Sequence, residues 1–463
     1  MSDYIYMLES HLSPGQNRAV AVVQTAAAQG NLNLFLTGGA MRDMLAGFRI
    51  RDLDFVVEGN ALPLAKAVAN AGATLVSTDD ARKSASLVFP GGITAKIGMA
   101  RREKPGRNGA RPQVTQATIQ EDLRGRDLTC NAIALSLNKA SRGLLLDPLN
   151  GLADIERREL RAAYPYGFYD DPSRLLRLVR LRVRLGFAIE EKTQSQAANA
   201  QEAGVARSIP AHVLGEELRQ IAYEDSPSEI LKLLEEYQLL ALFSPALSGA
   251  KFNLGGIMKL EKAARLLPVD ITPPAARFGP FLYVLTEKLS LRERQALIKT
   301  ASLSRADLVH WQKLPARAKK LETALRSARI RKPSQVYQMV SAAAPGEVLF
   351  LLYHSALKPV QERLRNHFQK YLPAVQEITA EEWSQVEGTP GSPRYQKARQ
   401  EFIAKRLDRR TPKPPAPLAP GTAPGSTLPP PEPPPAQTRG SSWRSQPGAS
   451  PRRARAGQGW GQA

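Results

Sequence analysis

The sequence predicts an α+β N-terminal head with a small mixed β-sheet, followed by an all-α C-terminal region and a disordered Pro-rich tail. Three observations carry that prediction. Short strand-like runs alternate with helical patterns over residues 1–145, and their periods of two and about 3.6 residues mark strands and helices. From residue 146 to about 410 helical patterns follow one another. From Thr411 the chain reads "TPKPPAPLAPGTAPGSTLPPPEPPPAQ", with too little apolar material to offset the entropy of ordering.

Taken in order, "AVAVVQTAAAQ" predicts a helix and "NLFLT" a strand, with Gly38-Gly39 leading into a helix near Ala40. "LDFVVE" reads as a second strand and "ALPLAKAVANAG" as another helix. "ATLVS", "ASLVF" and "ITAKIG" are short strands bounded by Gly, Pro and Ser. After Asp147, "SRLLRLVRLRVRLGF" and "SPSEILKLLEEYQLLALF" carry helical periodicity, the second opening on the start signal Ser226-Pro227. The expected boundaries are 1–145, 146–225, 226–410 and 411–463.

The 463 residues hold 64 Lys and Arg against 43 Asp and Glu, a formal net charge of +21. A surplus of that size favours a polyanionic partner, either nucleic acid or an anionic membrane surface. The membrane reading finds little support, because no run of about eighteen apolar residues occurs. The opening "MSDYIYMLESHLSPGQNRAV" has no basic start ahead of an apolar core. A single cysteine, Cys130, excludes an intramolecular disulfide and a cysteine-rich zinc site. A cytoplasmic protein without a membrane partner is expected.

The chemistry concentrates in residues 37–59, "TGGAMRDMLAGFRIRDLDFVVEG". Side chains alternate across a strand, so Asp52, Asp54 and Val56 share one face and Leu53, Phe55 and Val57 the other. Two neighbouring carboxylates repel unless a cation lies between them, and hard oxygen donors suit Mg2+. Glycines at 38 and 39 let the backbone approach a phosphate, and the helix behind them offers free N–H groups and a positive dipole end. Arg42 in its first turn adds a guanidinium for a triphosphate. Strand, paired glycine, helix and acid-bearing strand together read as a triphosphate and metal site.

Two later segments add to it. "EDLRGRDLTCNAIAL" places Asp127 and Asn131 four residues apart, on one face if the segment is helical. In "FYDDPSRLLRLVRLRVRLGF", Asp171 before Pro172 predicts an N-cap with proline at the first helical position. Arg174, Arg177, Arg180 and Arg184 then fall within an arc of roughly 120°. An Asp and an Arg held together form an edge with acceptors and donors that matches cytosine or adenine. The alternative for these arginines is a solvated basic face that binds RNA phosphate. "ARREKPGRNGARPQV", with Arg101, Arg102, Lys104, Arg107 and Arg111, reads as a basic loop near the site.

"LTGGAMRDMLAGFRIRDLDFVVEG" resembles the signature of the bacterial-type CCA-adding tRNA nucleotidyltransferase and poly(A) polymerase family, within the DNA polymerase β superfamily. "EDLRGRDLTCNAIAL", "LLLDPLNGLADIERRELRA" and "FYDDPSRLLRLVRLRVRLGF" resemble its further motifs in the same order. The resemblance covers residues 34 to about 187 well and the later helices loosely. It implies template-independent addition of C and A to the tRNA 3′ end from CTP and ATP, with pyrophosphate released. Mg2+ would be the cofactor, held by Asp52 and Asp54 as the catalytic carboxylates. Gly38, Gly39 and Arg42 would meet the triphosphate, and Asp43, Arg126, Asp127 and Asn131 the nucleotide, with Asp127 near the ribose. Asp171 and Arg174 would form the base-reading edge, with Arg177 and Arg180 on phosphate or base. Residues 1–145 would be the catalytic head and 146–225 the neck with the base-selecting helix. Residues 226–410 would grip the acceptor and TΨC arms of tRNA by shape and backbone charge.

One departure matters. Where the family commonly carries an acid, this chain has Lys96, in "ITAKIGMARRE". A lysine there competes with metal or binds phosphate. The motifs do not separate CCA addition from CC-only, A-only or poly(A) activity, and Lys96 keeps open a catalytically weakened RNA-binding protein. Oligomeric state is not legible.

Overall fold

The computed structural model describes residues 3–104, 113–268, 274–389 and 392–409. The Pro-rich stretch from Thr411, and Arg107 and Arg111 of the basic loop, lie outside them.

Helices α1 (Asp3–His11) and α2 (Pro14–Gln29) precede the sheet; Ser13 and Gln16 close a capping box that starts α2. Then come β1 (Asn33–Thr37), α3 (Gly38–Leu45), β2 (Leu53–Glu58), α4 (Ala61–Asn70), β3 (Thr74–Asp79), β4 (Ser84–Phe89) and β5 (Ile93–Met99). A separate hairpin, β6 (Arg101–Lys104) with β7 (Gln113–Gln116), and α5 (Ile119–Arg124) lead to β8 (Ala134–Ser136) and β9 (Leu145–Leu146). The sheet order is β3-β4-β5-β2-β1-β8-β9, with β2 and β5 parallel and the other pairs antiparallel.

The two-residue period sorts the side chains as the sequence predicts. Leu53, Phe55 and Val57 of β2 join the main core with Leu34 and Leu36, whereas Val56 and Phe35 join a smaller cluster with Ile119 and Leu123. Asp54 therefore lies on the second face, which α5 covers only in part. Cys130 is fully buried, and burial pushes its thiol up to about 12, so it packs as a small apolar residue.

Beyond the sheet come α6 (Gly151–Arg157), α7 (Gly167–Asp170), α8 (Arg174–Leu185), α9 (Glu191–Glu202), α10 (Ala211–Tyr223) and α11 (Pro227–Glu236), with further helices to Asp408. A two-strand bridge between Glu159–Leu160 and Ala188–Ile189 is the exception. The helices share the core through Leu175, Leu178 and Val179 of α8, Leu218 and Ile221 of α10, and Phe281, Leu314 and Phe350 farther on. This is the α+β head with an all-α continuation. Among the described residues no single helix is long and apolar enough to cross a membrane.

The C-terminal helices hold a buried histidine. His367 is 3% exposed, its ring stacks on Tyr337 at 5.4 Å, and Nδ1 has no hydrogen-bond partner. Burial pushes its pKa down to about 4, whereas an unfolded chain takes up the proton near 6.5. Between those values the unfolded state binds more protons, so stability falls as pH drops from about 6.5 toward 4. The slope from this group approaches about 1.4 kcal/mol per pH unit. Urea melts of His367→Phe across that window should show a flatter pH dependence than the parent; an identical slope refutes the assignment.

Candidate active site

The acidic strand meets the paired glycine at one end of the sheet. Gly38 has φ +63°, a conformation that glycine adopts without strain. A Cβ on Gly38 or on Gly39 would lie 3.5 Å from Asp54 Oδ2. The bare backbone of the turn thus lies flush against the carboxylate. The Thr37 hydroxyl donates to the Asp54 carbonyl, 3.4 Å away, tying β1 to β2 at this point.

Asp52 is exposed just before β2, and its Oδ1 accepts from the Thr94 hydroxyl of β5. In the parallel β2–β5 register Asp54 pairs with Lys96, so the lysine neighbours the acid on the same sheet face. Burial, then the charge of Asp52, push the Asp54 carboxyl above the usual range, against the opposing pull of Lys96, Arg126 and Arg42. Two like charges this close make the pair a receptor for a cation. The donor set fits a hard divalent ion that completes its shell with phosphate and water. Among the described residues there is no group of three or more His, Cys, Asp or Glu placed to hold a metal.

Arg126 comes from the turn after α5 and is held by Asp122, whose Oδ2 accepts from its Nε at 2.9 Å and Nη2 at 2.6 Å. A Cβ on Gly38 would lie 3.9 Å from Arg126 Nη1, so this guanidinium also borders the glycine turn. Asp127 and Asn131 do meet, Asn131 Nδ2 donating to Asp127 Oδ1 at 3.0 Å. They do so across a tight turn with a 3-10 segment at Thr129–Asn131, not on an α-helix face. Burial alone would raise the Asp127 carboxyl; Arg177, Asn131 and Arg174 outweigh it and hold the acid far below its usual range.

The arginine helix also differs from expectation at its start. Regular α8 begins at Arg174, and Asp171–Ser173 form a turn in which Asp171 Oδ1 accepts from Ser173 N at 3.1 Å. Ser173 stands at the start of the helix without a side-chain cap, so the predicted Asp171 N-cap is a turn instead. Asp171 Oδ2 lies 3.7 Å from Arg174 Nε, so the expected Asp–Arg edge is present. Arg174 donates to the carbonyls of Arg126 and Gly125 at 3.2 and 3.1 Å, and its guanidinium lies 5.2 Å from the Tyr164 ring centre. Those contacts leave Nε without a hydrogen bond.

Four expected nucleotide contacts are differently engaged. Arg180 does not face an opening: it is buried, donating to Glu217 at 3.1 and 3.4 Å and to Glu224 at 3.1 Å. Asp43 is buried between Arg42 and Arg184. Arg42, also buried, donates to Asp43 at 2.7 Å and to Asn131 Oδ1 at 2.7 Å, though its Nη2 still lies 3.6 Å from where a Gly39 Cβ would be. Asn131 is 8% exposed and bridges Arg42 to Asp127. The helix therefore does not present a solvated arginine face.

The residues that sequence reasoning missed are Glu217 and Glu224 of the α10 segment, with Thr94, Asp122 and Tyr164. Arg177 and Arg184 are seven apart on one face of α8, and Glu217 and Glu224, also seven apart, answer them from α10 and from the extended residue just past its end. That matched spacing was the available signal. A cavity of about 330 Å³ lies elsewhere, lined by Glu224, Asp225, Leu260, Arg277 and Phe281 among others.

Residues 34–161 match the Poly A polymerase head domain. Among curated relatives, the CC-adding tRNA nucleotidyltransferase of Deinococcus radiodurans is 32% identical over 299 residues, covering 62% of this chain and 75% of that protein. The A-adding tRNA nucleotidyltransferases of Aquifex aeolicus and Halalkalibacterium halodurans are 28% and 36% identical, covering 73% and 51% of this chain. This chain spans 40% and 55% of the length of those two relatives. A solved CCA-adding enzyme in an apo form shares the fold, with TM-score 0.52 and 24% identity over 89% of this chain and 96% of that one. With the acidic strand, the glycine turn and the Asp–Arg edge in the family's order, and that extent of identity, the chain belongs to the tRNA nucleotidyltransferase and poly(A) polymerase family.

Proposed function

We propose that the protein is a template-independent RNA nucleotidyltransferase that adds C and A to the 3′ end of tRNA from CTP and ATP, acting in the cytoplasm. The observation that carries this reading is the carboxylate pair beside the bare glycine turn, with Arg126 on its flank. The terminal ribose hydroxyl attacks the α-phosphorus in line, and pyrophosphate leaves with the electron pair of the broken P–O bond. Mg2+ held by Asp52 and Asp54 would neutralise phosphate charge and favour ionisation of the attacking hydroxyl.

The chain's own residues do the positioning. Gly38 and Gly39 admit the triphosphate close to the backbone, and Arg126 and Lys96 supply cations beside it. Asp171 and Arg174 offer acceptor and donor to the base, and Arg177, anchored on Asp127, flanks them. Arg42, Asp43 and Asn131 hold the helix behind the glycine turn in place. The helices after Gly151 would carry the RNA by shape and backbone charge, in keeping with the net charge of +21.

Purified protein with Mg2+, labelled CTP or ATP, and tRNA transcripts ending before C, after CC, or complete tests the reading. Incorporation of two C and one A supports CCA addition. C alone or A alone narrows it to a CC- or A-adding enzyme. A long adenosine ladder makes it a poly(A) polymerase. Tight tRNA binding without incorporation identifies a weakened binding protein, for which Lys96 beside Asp54 is the physical reason.

A further inference from the structure

Nine side chains form a closed polar ring that links the glycine turn to the base edge. Arg42 pairs with Asp43, and Asp43 with Arg184. Arg184 lies 3.9 Å from Glu224, and Arg180 bridges Glu224 and Glu217. Arg177 Nε is 3.7 Å from Glu217, and Arg177 Nη1 donates to Asp127 at 3.0 Å. Asn131 closes the ring between Asp127 and Arg42. Most members are inaccessible. Arg177 is the exception among the ring's arginines, with a side chain 33% exposed against 9% for Arg180 and 14% for Arg184.

We infer that Glu217 is a specificity-determining positioning residue, which sets the choice of base by fixing the direction of Arg177. This rests on the proposed nucleotidyltransferase function. A guanidinium is a rigid planar fork of five donors, so two anchors fix its plane. Asp127 holds Nη1 and Glu217 draws Nε. No hydrogen bond engages Nη2 among the described residues, which leaves a donor edge at the exposed end. Cytosine presents two adjacent acceptors, N3 and O2, to such an edge. Adenine presents N1 next to a C–H and satisfies one donor. An Arg177 held in this plane therefore favours cytosine, and one released from Glu217 loses that advantage. Glu217 itself is 4% exposed and bound to Arg180, so it acts through Arg177 without touching substrate.

Glu217→Gln in the full chain keeps the shape while removing the charge and one of the two acceptor oxygens that face Arg180 and Arg177. The readout is the ratio of kcat/KM for CTP on a transcript lacking CCA to that for ATP on one ending in CC. An enzyme restricted to one nucleotide is read by misincorporation of the other. The expected result is a fall of about tenfold in the CTP-to-ATP ratio, the scale of one two-pronged base contact, with tRNA affinity unchanged. Arg177→Lys should shift the ratio in the same direction, and the double variant no further, because both act on one fork. If Glu217→Gln does not fold, Arg177→Lys carries the test. An equal loss for both nucleotides, or an unchanged ratio in an active enzyme, overturns the inference alone. An inactive parent overturns the proposed function with it.

Discussion

Replacing Asp54 with Asn should abolish nucleotide incorporation, by about a thousandfold or more, without weakening the fold. The loss follows from what the carboxylate pair would do. A bound divalent ion supplies several kcal/mol at the reacting phosphate, and about 4 kcal/mol is a factor of a thousand in rate. The stability expectation comes from the sign of the shift at Asp54. Its acid is held above the usual range by burial and by Asp52, so at neutral pH the ionised form costs folding free energy. A neutral, isosteric Asn relieves that cost, and the melting temperature should stay level or rise. Asn at 54 also leaves Gly38 and Gly39 their contact with a planar side chain of the same size. Labelled CTP and ATP incorporation, a thermal melt and tRNA filter binding on one preparation decide the matter. Activity within tenfold of the parent sinks the metal assignment, and a large drop in melting temperature turns it into a structural one.

Much of this site is legible in one dimension because its parts are local. The glycine turn, its helix and the acidic strand are consecutive, and Asp52, just before β2, stands two residues from Asp54. The neighbour of Asp54 was legible only through the family resemblance, which set Lys96 at the site; spacing gives no hint of it. Lys96 is 42 residues away, and only the parallel pairing of β2 with β5 brings it alongside. The arginine helix shows a second limit. Its spacing predicts a common face but not what covers that face: Glu217 of α10 and Glu224, just past the end of that helix, cover it. Arg180 and Asp43 therefore read as nucleotide contacts and fold as buried braces. Helix starts failed more mildly: Asp171 caps a turn, and the regular helix follows at Arg174.

Arg180→Met should be the most destabilising single change in the arginine helix, costing about 3–5 kcal/mol. Methionine fits the space of the alkyl stem, so the loss is electrostatic. Glu217 and Glu224 are both about 4% exposed and each takes a hydrogen bond from Arg180. Without it Glu217 keeps Arg177 at 3.7 Å and Glu224 keeps Arg51 at 2.7 Å, and Glu217, buried without its hydrogen-bonded partner, carries a penalty of that size. The pH dependence separates this cause from lost packing. In the parent, burial alone would raise Glu224, but Arg180, Arg184 and Arg51 together hold it below its usual range. Its contribution is therefore present above the unfolded glutamate value near 4.3 and is lost as pH falls below that. In the variant the folded value moves up, so protonation relieves the strain and the deficit against the parent shrinks from pH 7.5 toward pH 5. Urea unfolding of both proteins at the two pH values measures it. A deficit that is the same at both means that packing, not charge, holds Arg180 in place, and the ring would then lose its electrostatic role in joining the α3 helix to α8 and α10.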